Sequence, residues 1–477
     1  MRIRSISAAA TVAAGAAAVL TFTVPASDAA SAPRPQTSDF NGDGHRDLVI
    51  GSPEGYVKGH RHAGFVTVVY GGPAGPDTRK RQHLDQDSPG VPGAPAESDQ
   101  FASAIATADF DGDRYSDLAI GTPFGKGVVI VYGGPKGLTA RTVHLKAGGS
   151  DAGVKLVVGD FNRNGVPDLV FKPGRSADHF MTYSDFKNRP VAGTRTSASA
   201  DEGLWFALPT GGDFTGDGYT DLAMQVVADM DGHPAYQYVE LRLGSPKGLG
   251  PARRIRGDIG DAGVSGDVNG DGKADLIARG RTEDTGEGEP NKGAIKVFLG
   301  TATGLGKPVT ITQDTPGVPG TGEKNDEFGA QLAVGDVNGD RRADVAVGAP
   351  LEDIGKAGNA GSVTILYGGP KGLTAKGAQG FSQDTKGIPG TAERGDYFGQ
   401  GLSVADLNRD GRAEVSVGAP MEDTWTPPGT AFTRWEGRVY ILRGAKTGVT
   451  LAGLRHFGPD ALGLARRNAL LGDPLLP

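Results

Sequence analysis

The chain has 477 residues, with 78 glycines, 31 prolines, no cysteine and a formal net charge of −7. The absence of cysteine excludes disulfide bonds and thiol catalysis, and the mildly acidic balance argues against nucleic acid as a partner. Many glycines and prolines among short Val, Ile and Leu runs predict an all-β chain of short strands and turns.

Residues 1–32 have the pattern of a secretory signal peptide. Arg2 and Arg4 precede an apolar, alanine-rich run over residues 8–25, and residues 30–32 fit a small-residue cleavage site. Cleavage would leave residues 33–477 and move the net charge from −7 to −8, because two arginines and one aspartate are lost. We therefore expect a secreted protein with no later membrane span, and an uncleaved N-terminal anchor is the alternative.

One nine-residue segment recurs seven times along the rest of the chain. Its copies start at Asp39, Asp109, Asp160, Asp213, Asp267, Asp336 and Asp406. An apolar run such as residues 328–334 precedes the segment, a second such as "DVAVG" follows it, and a third such as "SVTILYGG" leads through a turn to a weaker fourth. The third run is weak in repeat 3. Four short strands repeated seven times predict a seven-bladed β-propeller over residues 33–477, with a solenoid of stacked sheets as the alternative.

The two ends of the predicted propeller indicate how its ring closes. Repeat 1 has no apolar run before Asp39, and the last seven residues are "LGDPLLP". In this segment Leu471 replaces the phenylalanine of "FGAQLAV", and Leu475 matches Leu332. We expect the C-terminal segment to supply the missing innermost strand of blade 1 and so to cover two open strand edges.

Each nine-residue segment, called an aspartate loop below, has the oxygen pattern of a calcium site. Oxygen-bearing side chains stand at positions 1, 3, 5 and 9, the carbonyl of position 7 is available, and glycine is common at position 6. Ca²⁺ takes six to eight oxygen ligands, whereas an EF-hand needs a glutamate at position 12 between two helices. We expect hairpin turns whose last ligand begins the returning strand. A metal-free Asx turn is the alternative.

The cofactor prediction is Ca²⁺ in up to seven loops, and loop 3 is the weakest because it has two carboxylates. The predicted metal positions are Asp39, Asn41, Asp43, His45 and Asp47; Asp109, Asp111, Asp113, Tyr115 and Asp117; Asp160, Asn162, Asn164, Val166 and Asp168; Asp213, Thr215, Asp217, Tyr219 and Asp221; Asp267, Asn269, Asp271, Lys273 and Asp275; Asp336, Asn338, Asp340, Arg342 and Asp344; and Asp406, Asn408, Asp410, Arg412 and Glu414.

The order of these motifs resembles the FG-GAP repeat of integrin α-subunits. "FG" occurs at residues 328–329 and 398–399, an aspartate loop follows, and "GAP" occurs at residues 348–350 and 418–420. Repeats 3 and 4 lack both flanking signatures. The resemblance implies a seven-bladed, calcium-binding propeller that binds an extracellular protein or glycan, often in adhesion. The export signal indicates a bacterial member, and we expect a monomer.

Catalysis has little support, and no catalytic residue is predicted. The chain has neither G-x-S-x-G nor H-E-x-x-H. GPI-specific phospholipases carry similar repeats beside a separate catalytic domain, for which this sequence has no room. Some polysaccharide lyases are calcium-rich propellers, so a carbohydrate-active enzyme stays open as the alternative. His60 and His62 could bind a transition metal, although solvated histidines are the simpler interpretation.

Two "RGD" triplets occur, at residues 256–258 and 394–396. Asp396 aligns with Asp99 and Asp326, each of which stands two residues before a phenylalanine. This recurrence favours a structural role for these aspartates in the repeat over a recognition signal. His83 and His144 likewise occupy matching fourth-strand positions in repeats 1 and 2.

The ligand-binding face is predicted opposite the aspartate loops. Connections between strands two and three, and between blades, would lie there, and long ones cluster in the neighbouring blades 5, 6, 7 and 1. Glu283 and Asp284 would add acidity to this rim. The candidate ligand-binding residues are Glu352, Asp353, Glu422, Asp423, Trp425 and Trp435. The alternatives are that the acids cap strand ends and that the tryptophans pack their own loop.

Overall fold

The structure, a computed structural model, describes residues 8–9, 37–122, 127–146, 155–172, 179–186, 193–197, 204–230, 233–256, 259–280, 292–422, 435–465 and 469–476.

In chain order, β1 (Ala8–Ala9) comes first. Blade 1 contains β2 (Leu48–Ser52), β3 (Phe65–Val69) and β4 (Arg81–Leu84), and blade 2 contains β5 (Ala104–Ala108), β6 (Asp117–Thr122), β7 (Gly127–Val131) and β8 (Thr142–Leu145). Blade 3 contains β9 (Lys155–Gly159), β10 (Asp168–Lys172), β11 (His179–Tyr183) and β12 (Thr194–Ser197), and blade 4 contains β13 (Leu204–Gly212), β14 (Asp221–Met230), β15 (His233–Arg242) and β16 (Arg253–Arg256). Blade 5 contains β17 (Ile259–Gly266), β18 (Asp275–Gly280), β19 (Ala294–Thr301) and β20 (Gly304–Ile311), and blade 6 contains β21 (Gln331–Gly335), β22 (Asp344–Ala349), β23 (Ser362–Tyr367) and β24 (Thr374–Phe381). Blade 7 contains β25 (Gly401–Ala405), β26 (Glu414–Ala419), β27 (Arg438–Ala445) and β28 (Gly448–Phe457), and a 3-10 turn (Pro459–Leu462) and β29 (Leu475–Leu476) follow.

These strands form seven antiparallel sheets, one for each repeat, as the sequence predicts. Blade 3 has its third strand, β11, despite the weak sequence pattern, and β11 pairs with both β10 and β12. The fold is therefore a seven-bladed β-propeller with four strands in each blade.

Burial explains why the inner strands have unbroken apolar runs instead of alternation. All residues of β21 and β22 are buried, whereas β24, the outermost strand of blade 6, is mostly half-buried or exposed. Inner strands are covered on both faces by the neighbouring blades, so both side-chain rows face apolar surroundings. Within the blade 6 sheet, the outermost strand is therefore the one that faces water.

The phenylalanine-glycine pairs position each new blade against the previous one. Phe328 and Phe398 are fully buried, and the N–H of Phe398 donates to the carbonyl of Ala360 in blade 6 at 2.8 Å. Gly399 has φ of +92°, and a Cβ there would lie 2.7 Å from the carbonyl oxygen of Ser362. The sequence places the first strands at residues 328 and 398, but they start three residues later because the Phe-Gly segment turns across the preceding blade.

The ring closes at blade 1, as predicted. In β29, Leu475 pairs with Ile50 and Leu476 pairs with Val49. This register matches blade 6, where Leu332 pairs with Val347, three residues after the last acid of the loop. Leu471 takes the place of the phenylalanine, because it bridges to Gly437 as Phe328 bridges to Gly293. The innermost strand of blade 1 therefore comes from the other end of the chain.

β1 lies within the predicted signal peptide and pairs with the inner edge of β17, with Ala8 opposite Gly266. Blade 5 keeps its own four strands without it. In the described part of the chain, no helix has the length and hydropathy that a membrane crossing needs.

Candidate metal centres and the opposite face

The aspartate loops connect the first and second strands of their blades. The last predicted ligand is the first residue of the returning strand in six blades, for example Asp117 in β6, Asp344 in β22 and Glu414 in β26. The residue at position 6 has a positive φ, for example +83° at Gly44. The same conformation occurs where arginine replaces glycine, with φ of +80° at Arg114 and +71° at Arg341. The predicted hairpin geometry is therefore confirmed, including the loops that lack glycine at this position.

Hydrogen bonds in loop 1 show how the oxygens are arranged. The Asp39 carboxylate accepts the N–H groups of Asp43 at 3.1 Å and Gly44 at 2.8 Å. Asn41 Oδ1 accepts the N–H of Asp43 at 2.9 Å, and Asp43 Oδ1 accepts that of His45 at 2.9 Å. The backbone therefore wraps around the side chains of positions 1, 3 and 5. Loop 6 repeats these bonds.

The acid at position 9 is buried and attached to two separate backbone segments. Asp47 Oδ2 accepts the N–H of Phe40 at 2.9 Å, and its Oδ1 accepts the N–H of Gly71, just beyond the third strand, at 2.8 Å. The same pair of bonds occurs in loops 2, 4, 5 and 6. This residue therefore anchors the hairpin to its own blade.

Burial raises the pKa of these carboxyl groups because it removes water from the charged form, and the backbone N–H groups offset the effect only in part. The pKa is raised to about 8 for Asp47 and Asp117, and to about 7 for Asp221, Asp275 and Asp344. A cation beside these groups would favour their charged form. The loops are therefore electrostatically suited to bind a cation.

Loop 2 fits a hard cation best among the described residues. Ligand oxygens of Asp109, Asp111 and Asp117 all lie within 4.8 Å of one another. Asp111 Oδ1 is buried and has no hydrogen-bond partner, whereas its Oδ2 pairs with the guanidinium of Arg141. Three converging carboxylates and a buried oxygen without a partner match the oxygen ligands that Ca²⁺ prefers.

Loops 3 and 7 depart from this geometry. In loop 3, Ser184 stands where the other blades have the glycine that binds the position-9 oxygen, and burial raises the pKa of Asp168 to about 6. In loop 7, Glu414 accepts the N–H of Leu407 at 2.9 Å and the Nδ2 of Asn408 at 2.6 Å. The longer glutamate therefore links positions 3 and 9 directly.

Adjacent aspartate loops are hydrogen-bonded to each other, which sequence reasoning missed. The N–H at position 8 donates to the carbonyl of position 1 in the preceding loop, at 2.9 Å for Ser116 to Asp39 and 2.7 Å for Ala413 to Asp336. Loops 4, 5 and 6 make the same bond to the loop before them. Loop 3 has Pro167 at position 8, which has no N–H to donate. The sequence signal for this pattern was the residue type at position 8, which is proline in loop 3 and a residue with a backbone N–H in the other loops.

The turns between strands three and four lie on the same face as the aspartate loops, as expected. The N–H of Gly134 donates to the carbonyl of Phe40 in loop 1 at 3.0 Å, and that of Gly369 donates to Val268 in loop 5 at 3.0 Å. The tyrosine of "LYGG" also fastens the next blade, since Tyr367 Oη accepts the N–H of Val449 at 3.2 Å.

On the opposite face, the structure corrects the role of two candidate ligand-binding acids. Glu422 is buried and accepts the Nε2 of Gln383, and half-buried Glu352 accepts the Nε2 of Gln313 at 2.6 Å. Both glutamates therefore join a blade to the loop before it, and Glu422 adds no exposed charge to the rim. The prediction that Glu422 makes this rim acidic was wrong, because its side chain turns inward toward the buried amide of Gln383.

Only two of the remaining residues singled out on this face lie within the described part of the chain. Asp353 is exposed and accepts the N–H of Asn359 at 2.8 Å, and Trp435 is half-buried. Asp423, Trp425, Glu283 and Asp284 lie outside the described residues.

The recurring aspartates before the phenylalanines have the structural role that was expected. Asp99, Asp326 and Asp396 are buried, and each accepts a backbone N–H from three residues earlier, at 3.0 Å from Ala96 and 2.6 Å from Glu393. Asp258 of the other triplet lies outside the described residues.

The histidines singled out in the sequence have different surroundings. His83 is held between Thr67 Oγ1 at 2.8 Å and the carbonyl of Leu462 at 2.9 Å, which is a structural role. No metal-ligand cluster within the described residues includes His60 or His62.

Family models agree with this architecture. The FG-GAP repeat model matches residues 34–69, 260–298, 328–366 and 398–442, and the FG-GAP-like repeat model matches residues 100–171. The chain contains FG-GAP repeats. The stretch from 172 to 259 between two of these matches includes most of repeats 3 and 4, which lack the flanking signatures.

Curated relatives of this chain include phospholipases and integrin alpha subunits. Phosphatidylinositol-glycan-specific phospholipase D of Rattus norvegicus is 26% identical over 435 residues, covering 86% of this chain and 45% of that protein. Integrin alpha-PS2 of Drosophila melanogaster is 32% identical over 183 residues, covering 34% of this chain and 12% of that protein. Integrin alpha-X of Mus musculus is 39% identical over 119 residues, covering 24% and 8%. The chain thus spans less than half the length of these relatives, and it is homologous to integrin α-subunits over part of its ring.

Proposed function

We propose that this protein is an exported FG-GAP propeller that binds calcium in its aspartate loops and an extracellular protein or glycan on the opposite face. The observation that carries the calcium part is the cluster of Asp109, Asp111 and Asp117 with its buried, unpaired oxygen. The same hairpin geometry recurs around the ring, with a buried position-9 acid whose pKa is raised. A bound cation would favour the charged form of these acids.

In each loop the metal would be held by side-chain oxygens of positions 1, 3, 5 and 9 and by the carbonyl of position 7. The residues at position 7 vary widely, from Val166 to Arg342, which suits a position that contributes only its backbone. When bound, Ca²⁺ supplies the charge that offsets the buried carboxylates. Because adjacent loops share hydrogen bonds, ordering one loop also supports its neighbour.

The binding role is supported by how the long connections are mounted. Glu352 and Glu422 stand at the start of the connections between strands two and three of blades 6 and 7. Their hydrogen bonds from Gln313 and Gln383 hold the start of each connection against the ring. Variable loops on a rigid scaffold are where binding residues are commonly found. The relatives named as phospholipases match this chain over less than half of their length, so their activity is not carried over.

The calcium sites can be counted by native mass spectrometry of the intact protein and of two matched variants. Asp336→Asn should remove one Ca²⁺, because it weakens the position-1 carboxylate of a loop with three acids. Asp160→Asn, at the same position of loop 3, should leave the count unchanged because that loop is predicted to be the weakest. A protein that retains no Ca²⁺, or an unchanged count for Asp336→Asn, would contradict the proposal.

The ligand can be sought by screening secreted proteins and glycans with and without Ca²⁺. Deleting residues 424–434 while keeping Glu422 and Glu436 should abolish binding and leave the melting temperature unchanged, because the anchor to Gln383 is retained. Glycan hits should also be tested for cleavage products, since turnover would favour an enzyme. Full binding by the deletion variant would place the ligand elsewhere.

A further inference from the structure

The hydrogen bond that joins adjacent aspartate loops is missing where the ring closes. Five loops donate the N–H of position 8 to the carbonyl of position 1 in the preceding loop, from Ser116, Thr220, Ala274, Ala343 and Ala413. In loop 1 the equivalent donor is Arg46, and its acceptor would be Asp406 of loop 7. No such bond joins these two groups in the described part of the chain. Loops 7 and 1 therefore lack the link that the other loops use.

A second bond between blades is missing at the same junction. The N–H of Gly134, in the turn after the third strand of blade 2, donates to the carbonyl of Phe40 in loop 1 at 3.0 Å. Blades 4 and 6 make the equivalent bond to the loop before them. In blade 1 the equivalent residue is Gly72, and within the described residues its N–H makes no bond to Leu407 of loop 7. The aspartate-loop face is therefore unlinked by either bond between blades 7 and 1.

The residue at position 8 explains this difference. In the bonded loops it is serine, threonine or alanine, and it packs against the end of the preceding blade's first strand. The Cβ of Ala343 lies 3.0 Å from where a Cβ on Gly266 would stand, and that of Ala413 lies 3.4 Å from the matching point on Gly335. Arg46 occupies this place in loop 1. An arginine side chain needs more room than such a contact leaves, so it keeps the two loops from bonding.

The guanidinium of Arg46 has no acceptor. Arg46 is half-buried, and the structure gives its side chain neither a hydrogen bond nor an ion pair among the described residues. Asp406 attracts it electrostatically, but the Asp406 carboxylate accepts the N–H groups of Asp410 at 3.1 Å and Gly411 at 2.9 Å in its own loop. The neighbouring His45 also has a buried Nδ1 without a partner. Donors that lose water without gaining an acceptor carry a desolvation cost.

Other arginines on this face have carboxylate partners. Arg141 pairs with Asp111 of loop 2, and Arg443 Nη2 lies 3.1 Å from Asp410 Oδ2 of loop 7. The cation at the ring closure is therefore left uncompensated by the packing that satisfies these two.

We propose that the junction between loops 7 and 1 is an oxyanion site, in which the guanidinium of Arg46 binds one carboxylate or phosphate group. The planar donors of a guanidinium match two oxygens of either group. The ligand would supply the acceptor that the ring itself does not provide at this junction. The site needs no metal, so it can fail while the calcium proposal stands, and the reverse also holds.

The test is nuclear magnetic resonance of the protein labelled with ¹⁵N-arginine, with the Arg46 Nε–H signal assigned from its loss in Arg46→Ala. Metal is first removed with a chelator, which is then dialysed away, so that phosphate cannot act by sequestering calcium. The probes are inorganic phosphate and acetate, titrated separately at constant ionic strength, and chloride is the control anion. The Arg46 signal should shift saturably with phosphate, acetate or both, which identifies the source of the oxyanion. No shift with either probe, or an equal shift with chloride, overturns the proposal.

Two variants separate anion binding from a structural role. Arg46→Ala introduces the residue that loops 5, 6 and 7 have at position 8. In chloride buffer it should leave the melting temperature unchanged or raise it, because no internal partner is lost. It should also abolish the rise in melting temperature that the binding anion gives the unmodified protein. Arg253→Ala, which removes an exposed arginine from β16, should keep that rise.

Two results with these variants would reject the site. If Arg46→Ala keeps the anion-dependent rise, the anion binds elsewhere. If Arg46→Ala lowers the melting temperature in chloride buffer, the guanidinium already has a partner within the protein.

Discussion

Position 9 of the aspartate loops has a structural role in the hairpin and is also a proposed metal ligand. Asp344 accepts the N–H groups of Val337 at 2.9 Å and Gly368 at 2.9 Å, so it joins its loop to the end of the third strand. The same burial raises the pKa of its carboxyl to about 7. The burial that lets Asp344 hold the hairpin therefore also disfavours its charged form when no cation is bound.

The stability of the metal-free protein should consequently fall as pH rises. In the unfolded chain these carboxyls titrate near 4, whereas in the folded protein the values are about 7 for Asp344 and about 8 for Asp47. The folded state thus binds more protons between these limits, and linkage makes the free energy of unfolding decrease across that window. Melting in a chelator from pH 5 to pH 8.5 should show this decline. A melting temperature that climbs with pH would contradict it, and Ca²⁺ should flatten or reverse the slope.

Glycines in the turns between strands three and four matter because the preceding blade packs onto them. A Cβ on Gly448, at φ of +111°, would lie 2.0 Å from Tyr367 Oη. Gly448→Ala should therefore cost about 3 kcal/mol, from backbone strain and overpacking together. Gly377→Ala is the control, since Gly377 has φ of +80° and no atom within 4 Å of the added methyl group, so only about 1 kcal/mol of strain applies. Urea denaturation measures both, and equal losses would exclude the packing contact.

At the residue scale, the sequence predicts the conformation of the aspartate loops better than the contacts on the opposite face. The loop conformation follows from a local pattern, since the hairpin and its acids lie within nine residues. The inward turn of Glu422 depends on Gln383, which is 39 residues away and on another blade. Gln313 and Glu352 have the same 39-residue spacing, which was the signal available in the sequence. It can be interpreted only once the two side chains are known to be in contact.

Among the strands, the most informative is β29, because its place in the ring depends on both ends of the chain. Leu471, Leu475 and Leu476 are fully buried, and the N–H of Gly51 donates to the carbonyl of Pro474 at 2.8 Å. The pairing could be predicted from the sequence because an inner strand was missing at one end and present at the other. Strand ends were less predictable, since residues 328–330 look apolar but turn across the neighbouring blade.

Removing residues 471–477 should therefore destabilise the protein strongly. Three buried leucines at about 1.5–3 kcal/mol each, together with an exposed strand edge, give a loss on the order of 5 kcal/mol. Thermal melting and size-exclusion chromatography would report this loss, with removal of Pro477 alone as the control. If the truncated protein melts and elutes like the control, β29 does not close the ring.

Across the whole molecule, the seven blades present two chemically different faces. One carries the aspartate loops, which are hydrogen-bonded from blade to blade, and the other carries long connections anchored by Gln–Glu pairs. The repeat makes the number of blades and the first face predictable from sequence. The second face was harder to predict because its loops differ in length and its contacts cross between repeats.

We propose that the aspartate loops form a ring that calcium stabilises. The most direct measurement is the melting temperature of the exhaustively chelated protein, before and after Ca²⁺ is returned at millimolar concentration, with Mg²⁺ as the matched control. A site at a hundredfold its dissociation constant adds about 2.7 kcal/mol, so several loaded loops should raise the melting temperature by several degrees. Mg²⁺ should do far less, because it requires near-octahedral geometry. Identical melting temperatures with chelator, Mg²⁺ and Ca²⁺ would show that calcium does not stabilise the ring.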